Sequence, residues 1–215
     1  MTSRIPLPSL KRLPLYYREL KRAAAQGTPY LSSKELGAQA GVPAVQVRKD
    51  LSHLNEKGKP GVGYDTAGLA AHLKDTLGLA KDKEAVLVGA GNLGQALALY
   101  SGFGAYGFQI VMLFDNDLEK VGTQVGGVEV MPVERIETQV SRLGVRIGII
   151  TTPARAAQSV ADQMVAGGIT AIWNFAPRNL VVPDGVFVKN EDLTTSLSVL
   201  SYAIETMQIA DSFTP

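Results

Sequence analysis

The chain has 215 residues, 46% of them hydrophobic, and no cysteine; this suits one large or two small domains with a buried core and excludes disulfides, thiolate metal sites and thiol redox chemistry. No run approaches the roughly 20 continuous apolar residues that cross a bilayer, and the N-terminus lacks the apolar segment and small-residue cleavage site of a signal peptide, so a cytoplasmic protein is expected. The net charge of +1 conceals an asymmetry: residues 1–80 carry 12 Lys/Arg and 6 Asp/Glu, a net +6, whereas residues 81–215 carry 9 and 14, a net −5.

Leu13, Tyr17, Leu20 and Ala24 share one face of a first helix over residues 10–26, with Pro14 tolerable only in its first turn. Ser32 and Glu35 have capping-box spacing and open a second, short helix. Gly41-Val42-Pro43 then makes a tight turn into a third helix over residues 44–54, where Val47, Leu51 and Leu54 bury one side. The next segment, Lys57-Gly58-Lys59-Pro60-Gly61-Val62-Gly63-Tyr64, reads as a glycine-rich hairpin or wing. Asp65 or Thr66 caps a linking helix through Leu77, and residues 79–84 form the boundary.

From Glu84 strands and helices alternate. Strands are expected near 85–89, 109–114, 145–151, 169–174 and 186–188, and helices near 93–100, 132–140 and 153–166. The alternation implies an α/β domain with a parallel sheet covered on both faces. A last helix, near 194–210, carries Leu197, Leu200, Ile204 and Met207. The organisation is therefore 1–80 as a winged-helix domain and 81–215 as a Rossmann-type domain.

Three helices and a wing place the third helix in a DNA major groove. Arg48 has the side chain for a bidentate contact to guanine, and Gln46 could read adenine. Lys49, Ser52 and His53 suit phosphate, and Lys57 and Lys59 on the wing suit the backbone or minor groove. The bland alternative is the solvated face of an ordinary helix; the +6 charge and the wing glycines favour DNA.

Gly89-Ala90-Gly91-Asn92-Leu93-Gly94 follows the apolar run 85–88 and opens into a helix, the arrangement that seats a dinucleotide pyrophosphate at a helix N-terminus. Asp115 ends the next strand, 21 residues after Gly94, where a carboxylate bonds the adenine-ribose hydroxyls and repels a 2′-phosphate. NAD(H) is therefore expected over NADP(H). Thr151-Thr152-Pro153, with Thr152 as N-cap and Pro153 after it, and Trp173-Asn174-Phe175-Ala176-Pro177 follow later strands. These two segments either line the nicotinamide side or pack as ordinary loops.

Catalysis has no visible machinery. The nucleotide half contains no histidine, since His53 and His72 both precede it, and without cysteine no metal cluster can be assembled. No catalytic residue is assigned. The alternative function is a small NAD-dependent oxidoreductase with an accessory N-terminal domain.

The chain resembles the Rex family of redox-sensing transcriptional repressors over nearly its whole length. The resemblance rests on residues 11–18 (KRLPLYYR), 46–52 (QVRKDLS), 61–64 (GVGY), the glycine fingerprint and 174–177 (NFAP). It implies a homodimer on a palindromic double-stranded operator, repressing genes for NADH-oxidising respiration and fermentation. NADH closes the dimer and releases DNA, NAD+ competes weakly, and neither membrane nor metal takes part. It also implies that the C-terminal helix is swapped onto the partner, and that a relay of tyrosine, aspartate and arginine corresponds to Tyr100, Asp192 and Arg18. Two positions depart from the family pattern: Leu193 stands where a phenylalanine often follows the relay aspartate, and Pro60 where the wing usually has arginine.

Overall fold

Pro14 divides the first predicted helix. In the computed structural model, which describes residues 5–211, a single turn, α1 (Leu7–Leu10), precedes α2 (Leu13–Ala25). Pro14 falls within the first two positions of α2, where its missing N–H has no intrahelical partner to lose. The buried face of α2 is Leu13, Tyr16, Tyr17, Leu20 and Ala23; Ala24, expected inside, is exposed.

A short strand, β1 (Tyr30–Leu31), follows and leads into α3 (Ser33–Ala40). Ser32 caps α3, and both hydrogen bonds of the capping box are formed with Glu35. Gly41 then reverses the chain in the left-handed region, at φ 69°, before α4 (Ala44–Ser52). The wing closes through one antiparallel bridge, Lys59 to Gly63. Its last residues form β2 (Tyr64–Asp65), which pairs with β1 instead of with the other arm of the hairpin. Sequence reading missed β1 because two residues flanked by Pro29 and Ser32 carry no periodicity. Asp65 accepts from the Ala67 and Gly68 N–H groups and so caps α5 (Thr66–Thr76). Contacts divide the chain into two units, Met1–Lys81 and Asp82–Pro215.

The second unit runs β3 (Lys83–Val88), α6 (Asn92–Ala98), a 3₁₀ turn (Ser101–Tyr106), β4 (Phe108–Asp115), β5 (Gln124–Val125), β6 (Val128–Pro132), α7 (Ile136–Leu143), β7 (Ile147–Ile150), α8 (Ala154–Ala166), β8 (Ala171–Asn174), β9 (Phe187–Asn190) and α9 (Leu193–Asp211). The sheet order is β5-β6-β4-β3-β7-β8-β9, parallel except at β5. Without the edge strand β5, the strands in order of appearance read 3-2-1-4-5-6, the doubly wound order whose ligand crevice opens between the first and fourth strands. Here those are β3 and β7, paired from Ala85–Ile147 to Val88–Ile150.

Val86, Val88, Phe114 and Ile150 face one side of the sheet, beneath Ile136 and Val140 of α7 and Ala157, Val160 and Met164 of α8. Leu87, Leu113 and Ile149 face the other, where the partly buried cover comes from Leu97 and Ala98 of α6 and from Phe103 of the 3₁₀ turn. The strand at Val128–Pro132 was not foreseen, because it is short, ends in proline and lies near the sheet edge. On α9, Leu193, Leu197, Val199, Leu200, Tyr202 and Ile204 are all at least 55% exposed. The Met207 side chain, expected on that face, lies outside the described residues.

Candidate functional site

The turn from β3 to α6 is shaped by three glycines with different constraints. Gly89 has φ 104°, and a Cβ there would meet the Thr151 backbone at 2.9 Å. A Cβ on Gly94 would lie 1.9 Å from the Gly89 carbonyl oxygen, so α6 sits directly on the turn. Around Gly91, the N-cap of α6, nothing lies within 4 Å of a Cβ position. One side of the turn is therefore packed shut and the other is open to a group approaching the backbone. Asn92 and Leu93, both exposed, form the first helical turn beside that opening.

Asp115 ends β4 in register with this turn. Its Oδ2 accepts from the Ala90 N–H at 2.7 Å and its Oδ1 from the Asp117 N–H at 2.9 Å. The carboxylate thus braces the glycine turn and keeps further acceptor capacity for hydroxyl donors. Lys120, which sequence reading did not single out, places Nζ 3.5 Å from Asp115 and 3.2 Å from Asp117. Asp117 is held below its ordinary value by the Glu119 N–H and by Lys120, and Lys120 is raised in turn by Asp117. Gly89, Asp115, Asn116, Val133, Thr152 and Ser159 help line a cleft of about 240 Å³.

The two threonines expected here divide their roles. The Thr151 hydroxyl is directed at the Gly89 and Val88 carbonyl oxygens, at 2.8 and 3.1 Å. It braces the turn. The Thr152 Oγ is buried without a hydrogen-bond partner among the described residues, and it borders the cleft. An orphaned buried hydroxyl costs about 1–3 kcal/mol, which a bound polar group would recover. The helix cap expected at Thr152 is not formed: the N-cap of α8 is Pro153, with no side-chain bond.

Asn174 is hydrogen-bonded within the protein. Its Nδ2 donates to the Arg178 carbonyl and to Asn190, both at 2.8 Å, and its Oδ1 accepts from the Ala176 N–H at 3.0 Å. The amide is consumed in shaping its own loop. Ala176 is buried and Pro177 exposed. Phe175 belongs to an aromatic chain: its ring centroid lies 4.6 Å from that of Trp173, Trp173 lies 5.9 Å from Phe103, and Phe103 lies 5.1 Å from Tyr100. Phe103 was not singled out in the sequence, since a packed aromatic has no spacing signature.

Of the three residues of the expected relay, Arg18 and Asp192 are hydrogen-bonded within their own units and Tyr100 is exposed. Arg18 donates from Nε to Glu19 at 2.9 Å. Asp192 caps α9, accepting from the Thr194 and Thr195 hydroxyls and N–H groups, which lower its pKa to about 2. Tyr100, 60% exposed, precedes the 3₁₀ turn.

In the first unit, Arg48 projects from α4 and donates from Nη1 to the Ser33 hydroxyl at 2.9 Å. Ser32, Ser33, Arg48 and the wing from Gly58 to Tyr64 enclose a recess of about 400 Å³. Lys49, Ser52, Lys57 and Lys59 are exposed, His53 is half-buried at the C-cap of α4, and the Lys59 ammonium lies 5.5 Å from the Tyr30 ring centroid. The Ser52 hydroxyl donates to the Lys49 carbonyl at 2.7 Å.

Gln46, expected to read adenine, is anchored to the protein through its amide nitrogen. Its Nε2 donates to Asp50 Oδ1 at 2.7 Å. Asp50 is fully buried and also accepts from Arg12 Nε and Nη2, at 2.6 and 2.7 Å, and from the Tyr16 hydroxyl at 2.7 Å. Burial alone would raise the Asp50 pKa; the bonds from Arg12, Tyr16 and Gln46 outweigh it and hold the carboxyl well below its usual range. Among the described residues no group of three metal-ligating side chains occurs, and no helix is long and apolar enough to cross a membrane.

Two family models match, "CoA binding domain" over residues 80–178 and "Putative DNA-binding protein N-terminus" over residues 4–52. The redox-sensing transcriptional repressor Rex of Pelotomaculum thermopropionicum is 48% identical, over 93% of each chain. The Rex of Streptomyces coelicolor is 45% identical, over 92% of this chain and 77% of that one. Among solved structures, RSP in complex with beta-NAD+ and operator DNA matches with TM-score 0.90 and 38% identity, covering 98% of this chain and 97% of that one. RSP in complex with beta-NADH matches with TM-score 0.86 and 37% identity, over 99% and 100%.

Proposed function

The chain belongs to the Rex family of redox-sensing transcriptional repressors, and on that premise we propose that it binds operator DNA as a homodimer and leaves it when NADH binds. The observation that carries this reading is the joining, in one chain, of a helix–turn–helix unit with a basic wing to a doubly wound unit whose glycine turn is braced by an acid. Its relative RSP has been solved both with NAD+ and operator DNA and with NADH.

The residues fit the dinucleotide. The open side of Gly91 admits the pyrophosphate, Asp115 accepts from the adenine-ribose hydroxyls, and the Thr152 hydroxyl supplies an unpaired polar group in the same cleft. When bound, the cofactor is measured and not consumed: the proposal assigns no catalytic group and no enzymatic turnover. Gln46, Arg48, Lys49, Ser52, His53, Lys57 and Lys59 meet the operator, and Tyr100, Asp192 and Arg18 couple the two sites. For that coupling NADH must bind one dimer state more tightly than the other.

Two features support the homodimer. Leu193, Leu197, Val199, Leu200, Tyr202 and Ile204 of α9 stand in solvent, and among the described residues the helical cover of the sheet face carrying Trp173 and Phe175 comes from α6 and the 3₁₀ turn, both partly buried. A partner's α9 supplies what that face lacks. Introducing Leu197→Asp together with Leu200→Asp is expected to give monomers by light scattering and to abolish tight operator binding. A dimer that persists through both changes rules out this interface.

Operator anisotropy, titrated with NADH and with NAD+, tests the central reading: saturating NADH is expected to release DNA, and an operator affinity unmoved by NADH refutes the sensor. Arg48→Ala should cost about 1–3 kcal/mol of specific binding and leave NADH affinity intact. Matching losses in both would mean the two units are misassigned.

A further inference from the structure

Gln46 occupies the first turn of α4, the part of a recognition helix that reaches base edges. An amide side chain is ordinarily ambiguous, since its oxygen and nitrogen exchange places by a half-turn. Here the ambiguity is removed chemically. Asp50 is ionised, and an ionised carboxylate only accepts hydrogen bonds. The group turned toward it must therefore be Nε2, at 2.7 Å from Oδ1.

The carboxylate is itself fixed from behind. Arg12 grips it with two parallel bonds, and Tyr16, fully buried, donates a third. Neither Asp50 nor the Gln46 amide can turn over without breaking this set. Oε1 of Gln46 is then the atom left for an outside partner, since no described residue donates to it and the side chain is only partly buried.

Resting on the repressor reading above, we propose that Asp50 is a positioning residue that locks Gln46 as a hydrogen-bond acceptor, so that Gln46 selects a base with an exocyclic amino group in the major groove. That group is N6 of adenine or N4 of cytosine. Guanine and thymine present O6 and O4 at the corresponding edge, acceptor against acceptor, and are rejected. The arrangement explains why the recognition helix carries a buried acid one turn beyond its reading residue. Asp50 supplies direction to Gln46 and does not touch DNA.

The test uses the full chain and operators recovered by selection. At each half-site position, adenine is replaced by purine or cytosine by its analogue lacking the 4-amino group, and binding is followed by anisotropy. At one position per half-site, loss of the amino group is expected to weaken the wild type about tenfold. Gln46→Ala is expected to be indifferent to the same change. Asp50→Asn, checked by melting for retained fold, offers an N–H where the carboxylate had none, lets the Gln46 amide turn over, and is expected to blunt the discrimination.

Identical responses of wild type and Gln46→Ala at every position would overturn the proposal while leaving the repressor reading intact, as would full discrimination in a folded Asp50→Asn. Failure of the wild type to bind any selected operator would overturn both.

Discussion

Gly94→Ala is expected to weaken NADH binding by roughly 10- to 100-fold, the effect of an overpacking strain of about 1–3 kcal/mol applied at the cofactor turn. The added Cβ would lie 1.9 Å from the Gly89 carbonyl, a backbone atom that cannot swing aside. Relief requires α6 to lift from β3, and that displaces Gly91 and the Ala90 N–H held by Asp115. Operator binding resides in the other unit and should persist, so the variant is expected to stay on DNA at NADH concentrations that release the wild type. Gly91→Ala isolates the cause. Apart from its chain neighbours, no atom of the described residues lies within 4 Å of its Cβ, so its melting temperature should match the wild type, yet the methyl projects into the open side of the turn. Loss of NADH affinity without loss of stability in Gly91→Ala, set beside loss of both in Gly94→Ala, places the pyrophosphate there. NADH release at wild-type concentrations in both variants would remove this turn from the binding site.

The contrast between those glycines shows what a sequence can and cannot reveal. The fingerprint, its flanking strand and the acid 21 residues on are local or depend on fixed strand–helix–strand lengths, so spacing alone disclosed them. The capping box at Ser32 and Glu35 was legible for the same reason. The edge strands β1 and β5 escaped because two-residue strands are made by their partners and not by their own periodicity. Lys120 and Ser33 escaped because their relevance lies in what sits opposite them. Thr151, Asn174 and Gln46 were each expected to face a ligand, and each also has a polar group drawn to the protein: to the Gly89 carbonyl, to the loop through Arg178, and to Asp50. Residue type and spacing specify which polar groups gather in a region; which of them remain free depends on competition among acceptors across the fold.

That competition is strongest at Asp50, and Asp50→Ala is expected to destabilise the first unit by about 3 kcal/mol. Removing one partner of a buried ion pair typically costs about 3–5 kcal/mol. The lower end applies because the Arg12 side chain is 26% exposed and can regain water. Tyr16 cannot: its hydroxyl is fully buried and would lose its acceptor. For a unit of this size about 3 kcal/mol is a large fraction of the total, and the corresponding melting transition is expected to fall by roughly 12–24 °C. The pH dependence has a definite sign. The folded-state pKa of Asp50 is depressed, so its stabilisation is complete above the ordinary carboxylate value of about 4 and is lost as pH falls through the lower native value. The gap between wild type and Asp50→Ala should therefore be widest near neutrality and narrow in acid. Denaturant melts at neutral and acid pH measure it directly. A gap that grows on acidification, or a melting point unchanged near neutrality, would show that Arg12 and Tyr16 are satisfied elsewhere and that the acid does not anchor the recognition helix.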